Sequence, residues 1–176
     1  HGFVVLRFRS YDSGISPDFA LCCDTGTGHW FTLSHHDNDN VEFAYDAMCQ
    51  TVQSGSVLLG SAKSGDVLEL DTEAATDAGK SFRRRRRLGR VTSATAARHS
   101  RFELRAKTGA YATEPRVMLR WSDDGGRTFG EERVESLGEQ GEYVKRVAFR
   151  RLGSSRDRVY ELTVSDPVQV SFIETL

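Results

Sequence analysis

Few residues in this chain are spaced for covalent chemistry. It holds 25 Asp and Glu in 176 residues, yet no pair of them has the neighbours that acid–base work needs. Sugar hydrolysis is the most concrete case to test, because one of its forms uses a Tyr–Glu nucleophile pair beside a clamp of three arginines. Glu142 and Tyr143 are adjacent, and adjacent strand residues point to opposite faces, so they do not form such a pair. Arginine is too plentiful for counting to test the clamp. His35-His36-Asp37-Asn38-Asp39-Asn40 gathers metal-friendly atoms. Adjacent histidines do not readily share one ion, however, and the Asp-x-Asp lacks the Gly and distal Glu of a calcium loop, so a polar loop is expected. Cys22, Cys23 and Cys49 show no metal-ligand spacing, and Cys22 and Cys23 would face opposite sides of a strand, which favours packing over redox work. A Gly-rich phosphate loop and a nucleophile elbow are both missing. The expectation is a protein that is no enzyme, with no catalytic, cofactor or metal site.

Two polar features remain. The first is the stretch RWSDDGGRTF, residues 120 to 129, which reads Ser122-x-Asp124-x-Gly126-x-Thr128-Phe129. Gly125 and Gly126 offer the positive φ of a tight hairpin, and the Asp124 carboxylate can accept from the turn's own amides. Thr128 would start the returning strand, with Phe129 packed beneath the turn. The second feature is Arg83-Arg84-Arg85-Arg86-Arg87. Its residues are candidates for a subunit or partner interface, where Arg is enriched. Contact with nucleic-acid phosphates and a merely solvated run are the alternatives. Arg146, Arg150, Arg151, Arg156 and Arg158 form a second basic group, expected on a wet or partner-facing surface with an Arg156-Asp157-Arg158 turn.

Strands must carry all of this. Phe3 to Arg9, Phe19 to Asp24, His29 to Leu33, Ser56 to Gly60 and Val67 to Asp71 read as hairpin arms around Gly-containing turns. Their return after about forty residues fits propeller blades of roughly 40–50 residues. From Ala74 to Ser100 the composition shifts to Ala, Thr, Ser and Arg, as in a connector. Beyond it alternation is clean: Val117, Leu119 and Trp121 share a face, as do Tyr160, Leu162 and Val164, and then Val168, Val170 and Phe172. Asp166-Pro167 separates the last two strands, because Pro cannot donate to a ladder. The fold class is therefore all-β and antiparallel. The expected parts are propeller-like hairpins over 1–73, a basic connecting segment over 74–100, and over 101–176 an antiparallel unit with one wet face.

Composition narrows the class further. Hydrophobic residues are 38% and charged residues 28%, which suits wet-faced sheets or surfaces covered by partners. A net charge of −1 makes the whole chain no magnet for nucleic acid. The sequence lacks an apolar run near the roughly 20 residues that span a bilayer, so membrane insertion is not expected. Three cysteines without a framework fit assembly in a reducing cytosol. Beginning at His1, the chain reads as part of a longer protein.

The turn at Ser122 to Phe129 resembles the Asp-box of sialidases, where it lies on a propeller rim and marks architecture. A longer resemblance runs through MLRWSDDGG, LGEQGEYVKRV, FRRLGSSRDRVYE and SDPV, which in this order are similar to the C-terminal portion of the tail hub, or packaged-DNA stabilisation, proteins of short-tailed phages and prophages. It covers roughly residues 55 to 176, weakening upstream. Phe129 stands where Trp is common, and the arginine run is longer than the family's pattern. The resemblance implies a homo-oligomeric ring, hexameric in the family, assembled in the bacterial cytoplasm and sited in the virion at the portal vertex. It implies contacts with the portal adaptor, a tail needle or plug and the tail spikes, no cofactor, and genomic DNA passing without sequence-specific binding. The implied role is to extend the channel and retain packaged DNA. Since a lumen rich in guanidinium groups would retard that DNA, Arg83 to Arg87 are expected away from the channel axis. The alternative is a sugar-binding or sialidase-like propeller of the tail.

Overall fold

The computed structural model describes residues 2–8, 18–36, 42–45, 47, 49–61, 64–71, 73–108, 114–139 and 141–175. Among them it contains strands and turns only. The chain divides into two compact units, His1–Ala78 and Gly79–Leu176. Described helices long and apolar enough to cross a membrane are absent.

The first unit is built from antiparallel meanders. Strands β1 (Phe3–Phe8), β2 (Phe19–Asp24), β3 (Trp30–His36) and β4 (Glu42–Ala44) pair in chain order. A second sheet joins β5 (Cys49–Gln53), β6 (Ser56–Gly60) and β7 (Val67–Glu69), and β8 (Thr76–Asp77) follows. The β5–β6 hairpin was not expected from sequence. It closes through Ser54 and Gly55 at φ 51° and 90°, the left-handed pair of a two-residue turn. Burial is sparse: Ala20, Cys22, Ala44 and Leu59 are the buried apolar residues among those described here.

The second unit begins with β9 (Lys80–Ser81). Then come β10 (Arg84–Arg87), β11 (Val91–Arg98), β12 (Arg101–Thr108), β13 (Arg116–Ser122) and β14 (Arg133–Ser136), followed by β15 (Val144–Arg150), β16 (Ser154–Val164) and β17 (Val170–Thr175). One sheet runs β10-β16-β13-β14, with β11 also on β16; the other runs β15-β12-β17. Strand alternation makes them pack face to face. Val117, Leu119, Tyr160, Leu162 and Val164 come from the first sheet, and Phe102, Leu104, Ala106, Val147 and Phe149 from the second, into one core that loop residues Leu137 and Leu152 complete. Trp121, Val170 and Phe172 pack against it, on the faces their alternation indicates.

Two expectations need correction. Residues 74–100 do not merely connect, because β10 pairs with Arg84↔Val164 to Arg87↔Glu161 and β11 pairs with the N-terminal half of β16. Polar composition hid these strands, since edge strands of a sandwich need not be apolar on both faces. The outer face of β16 is not wet either: Glu161 and Thr163 are 0% and 2% exposed, and the long side chains of Arg85, Arg87 and Arg120 converge on the Glu161 carboxylate.

Candidate functional site

The turn after β13 is held by its own side chains. Ser122 Oγ donates to Asp124 Oδ1 at 2.5 Å and accepts from the Gly126 amide at 2.8 Å. The Asp124 carboxylate accepts from the amides of Arg127 and Thr128, both at 2.9 Å, and from Thr128 Oγ1 at 2.6 Å. Hydrogen bonds from the Ser122 and Thr128 hydroxyls, then from the Thr128 amide, hold this carboxyl far below the usual carboxylate range. Gly125 and Gly126 sit at φ 76° and 93°, where a side chain would strain the backbone. With its carboxylate committed to the turn, Asp124 is poorly placed to act as a base. The Phe129 ring lies 5.0 and 4.9 Å from the guanidinium carbons of Arg87 and Arg120.

The arginine run is divided by the alternation of β10. Arg85 and Arg87 point to the outer face and pair with buried Glu161, at 3.6 and 2.7 Å. Arg120 reaches the same carboxylate across the sheet at 2.6 Å. Burial alone would raise the Glu161 pKa, but the hydrogen bonds from Arg87 and Arg120 and the nearby positive charge outweigh it and lower the value. Arg84 turns the other way and donates to the carbonyls of Val168 and Asp166, at 2.5 and 2.6 Å, tying β10 to the loop before β17. Arg86 lines a groove at the open sheet edge with Leu162, Val164, Val170 and Phe172. Arg83 and Arg86 are exposed and make no ion pair among the described residues. The structure therefore draws Arg84, Arg85 and Arg87 into the fold of their own unit and leaves Arg83 and Arg86 exposed.

A second ion pair escaped sequence reasoning. Arg158 was expected in a surface turn, but it lies inside β16 and is 1% exposed. Its Nε and Nη2 donate to Asp123 at 2.6 and 2.7 Å, and Nη1 donates to the Leu152 carbonyl at 2.6 Å. The rings of Trp121 and Tyr160 lie 5.3 and 5.7 Å from its guanidinium carbon. Asp157 instead pairs with Arg90, at 2.6 Å. One signal was present in the sequence: Arg158 stands two residues before Tyr160 on the inward face of an otherwise apolar alternation, where a buried cation needs a fixed anion.

The remaining candidates stay apart. Glu142 bonds the Glu139 amide at 3.1 Å and Lys145 at 3.3 Å, while Tyr143 is exposed. Asp37 to Asn40 of the polar loop lie outside the described residues. Cys22 is buried and Cys49 exposed, both as free thiols. Among the described residues, groups of three or more His, Cys, Asp or Glu placed to hold a metal are absent. What the second unit offers is a stiff sandwich with charged outer faces.

Residues 84–175 match the family described as bacteriophage P22 Gp10, β-sandwich. The matched span begins at the first residue of β10 and ends with β17, so it coincides with the two packed sheets. Curated proteins yield no match to the chain.

Proposed function

The chain belongs to the bacteriophage P22 Gp10 β-sandwich family, the C-terminal portion of short-tailed phage tail hubs, and from that membership we propose that it is a structural subunit extending the portal-adaptor channel and retaining packaged DNA. The observation that carries this reading is the family match over 84–175, which takes in the whole sandwich. Its physics fits a load-bearing part. The core is continuous across both sheets, the Glu161 cluster ties arginines of β10 and β13 together on the outer face of β16, and the Arg158–Asp123 pair ties β16 to the turn after β13. In this reading the subunit sits in the virion tail as a ring, hexameric as the family resemblance implies, after assembly in the bacterial cytoplasm. It docks the adaptor above and the needle and spikes below. DNA passes without sequence-specific contact, the function is not enzymatic, and the meanders of β1–β4 and β5–β7 serve as propeller blades of the same hub.

Disruption of the gene in its phage or prophage tests this. Particles are expected to package DNA and then lose it, which DNA content per purified head would record. Heads that stay full but fail to adsorb would contradict retention and favour a sugar-directed tail protein.

A further inference from the structure

The two units carry opposite charge. Residues 1–78 hold 3 Lys and Arg against 12 Asp and Glu, a formal charge of −9. Residues 79–176 hold 21 against 13, a formal charge of +8. The near-neutral total of the chain conceals this split.

Part of that positive charge lies on the outer face of β15-β12-β17. Phe102, Leu104, Ala106, Val147 and Phe149 fill the core, so the residues between them in β12 and β15 point outward. Those outward positions include Arg101, Arg105 and Lys107 on β12 and Arg146 and Arg150 on β15. The register sets Arg101 directly opposite Arg150, and Arg105 directly opposite Arg146. Like charges in direct cross-strand apposition destabilise a sheet unless an anion lies between them. Glu103 lies between them, is 5% exposed, and pairs with Arg146 at 2.6 Å and with Arg101. The register also sets Glu174 of β17 opposite Arg105, so on this face five cations outnumber two acidic positions. Desolvation, together with the positive charge of Arg146 and Arg150, lowers the Arg101 pKa, the mark of crowded guanidinium groups. Val144 is 52% exposed and Tyr143 62% exposed at the same edge, so apolar and aromatic surface accompanies the arginines as it does in protein interfaces.

We propose that this basic sheet face docks the acidic N-terminal unit of a neighbouring copy of the same chain. The complementary charge is present in every subunit and in matching amount. A closed ring requires two different faces on each subunit that complement one another, and the oppositely charged units supply them. This inference rests on the ring reading above. The acidic partner surface includes Asp66, Glu69 and Asp71, all exposed, in a stretch from Ser64 to Gly79 that holds no Lys or Arg.

Sedimentation of the purified 176-residue chain between about 0.05 and 0.5 M salt, across which the Debye length contracts severalfold, tests the proposal. Wild type should assemble at low salt and dissociate at high salt. R105E/K107E/R150E, which spares both partners of Glu103, should remain monomeric at low salt with an unchanged far-ultraviolet spectrum. Mixing it with a D66K/E69K/D71K chain should restore assembly between the two variants. Arg150→Gln, which adds no repulsion, should weaken assembly by a smaller factor. Assembly by the triple variant equal to wild type would overturn the proposed interface. A wild-type chain monomeric at every salt concentration would overturn the neighbour as occupant, and salt-sensitive binding of a duplex DNA fragment at the same residues would reassign the face to phosphates. The ring reading itself fails separately, through particles that keep their DNA without the gene.

Discussion

The two halves of this chain use the same local devices and arrive at different kinds of structure. In the N-terminal unit Asp24 accepts from the Gly26 amide at 2.9 Å and Thr27 Oγ1 at 2.8 Å, a turn closed much as Asp124 closes its own. Sheets follow in both units, yet the second stacks two of them over a core of twelve buried residues. In the first, Phe3, Val5, Phe8, Phe19, Trp30 and Phe31 are all at least 39% exposed. Turn chemistry and alternation make sheets, but a second layer makes a domain that stands alone. The first unit has the surface of a part that relies on neighbours.

The largest test of that contrast is a cavity. Leu119→Ala, at a fully buried position between the sheets, should cost about 2–5 kcal/mol in denaturant unfolding. Val52→Ala in the first unit, at a position 68% exposed, should change stability by less than about 0.5 kcal/mol. Similar losses at both sites would erase the distinction.

Next is the buried carboxylate. Glu161→Gln removes the anion that Arg85, Arg87 and Arg120 share. A cost of about 2 kcal/mol is expected, less than the ~3–5 of a wholly buried pair because the arginine sides remain partly screened by water. Unfolding of the variant at two salt concentrations would check it; unchanged stability would make the cluster ornamental.

Acid should act mainly on the second unit. Asp123, Asp124, Asp157 and Glu161 all have folded-state pKa values below their ordinary ones. A depressed carboxyl contributes stability above its unfolded pKa, near 4, and loses it as pH falls through the folded value. Fluorescence of Trp121, with exposed Trp30 replaced by Phe, should therefore report unfolding that sets in below about pH 4. Constant stability down to pH 2 would contradict the assigned ion pairs.

The smallest effect separates the two turns. Asp124→Ala should lower the melting temperature of the second unit more than Asp24→Ala lowers that of the first, since Asp124 also engages Ser122 and two amides further along. Equal shifts would mean that the longer turn network adds nothing.

Much of this architecture was legible in the residues. The inward faces of β13 and β16 followed from period-two alternation, and the turn at Ser122 to Phe129 from glycines beside a carboxylate. The strands of the basic segment were not, because β10 is four consecutive arginines and carries no alternation at all. Its pairing is set by β16 and the loop after it instead, through Glu161 on one face and the carbonyls of Asp166 and Val168 on the other. Arg158 and Asp123 lie 35 residues apart, a contact that no local pattern reveals. Charge summed over the whole chain likewise hid an acidic unit joined to a basic one.

The most direct test of the central claim is a reconstruction of the portal vertex from intact particles, with a peptide tag on this chain to mark it. The account predicts the sandwich of residues 79–176 repeated around the tail axis, continuous with the channel beneath the portal. Tagged density on peripheral fibres, or none in the particle, would contradict it.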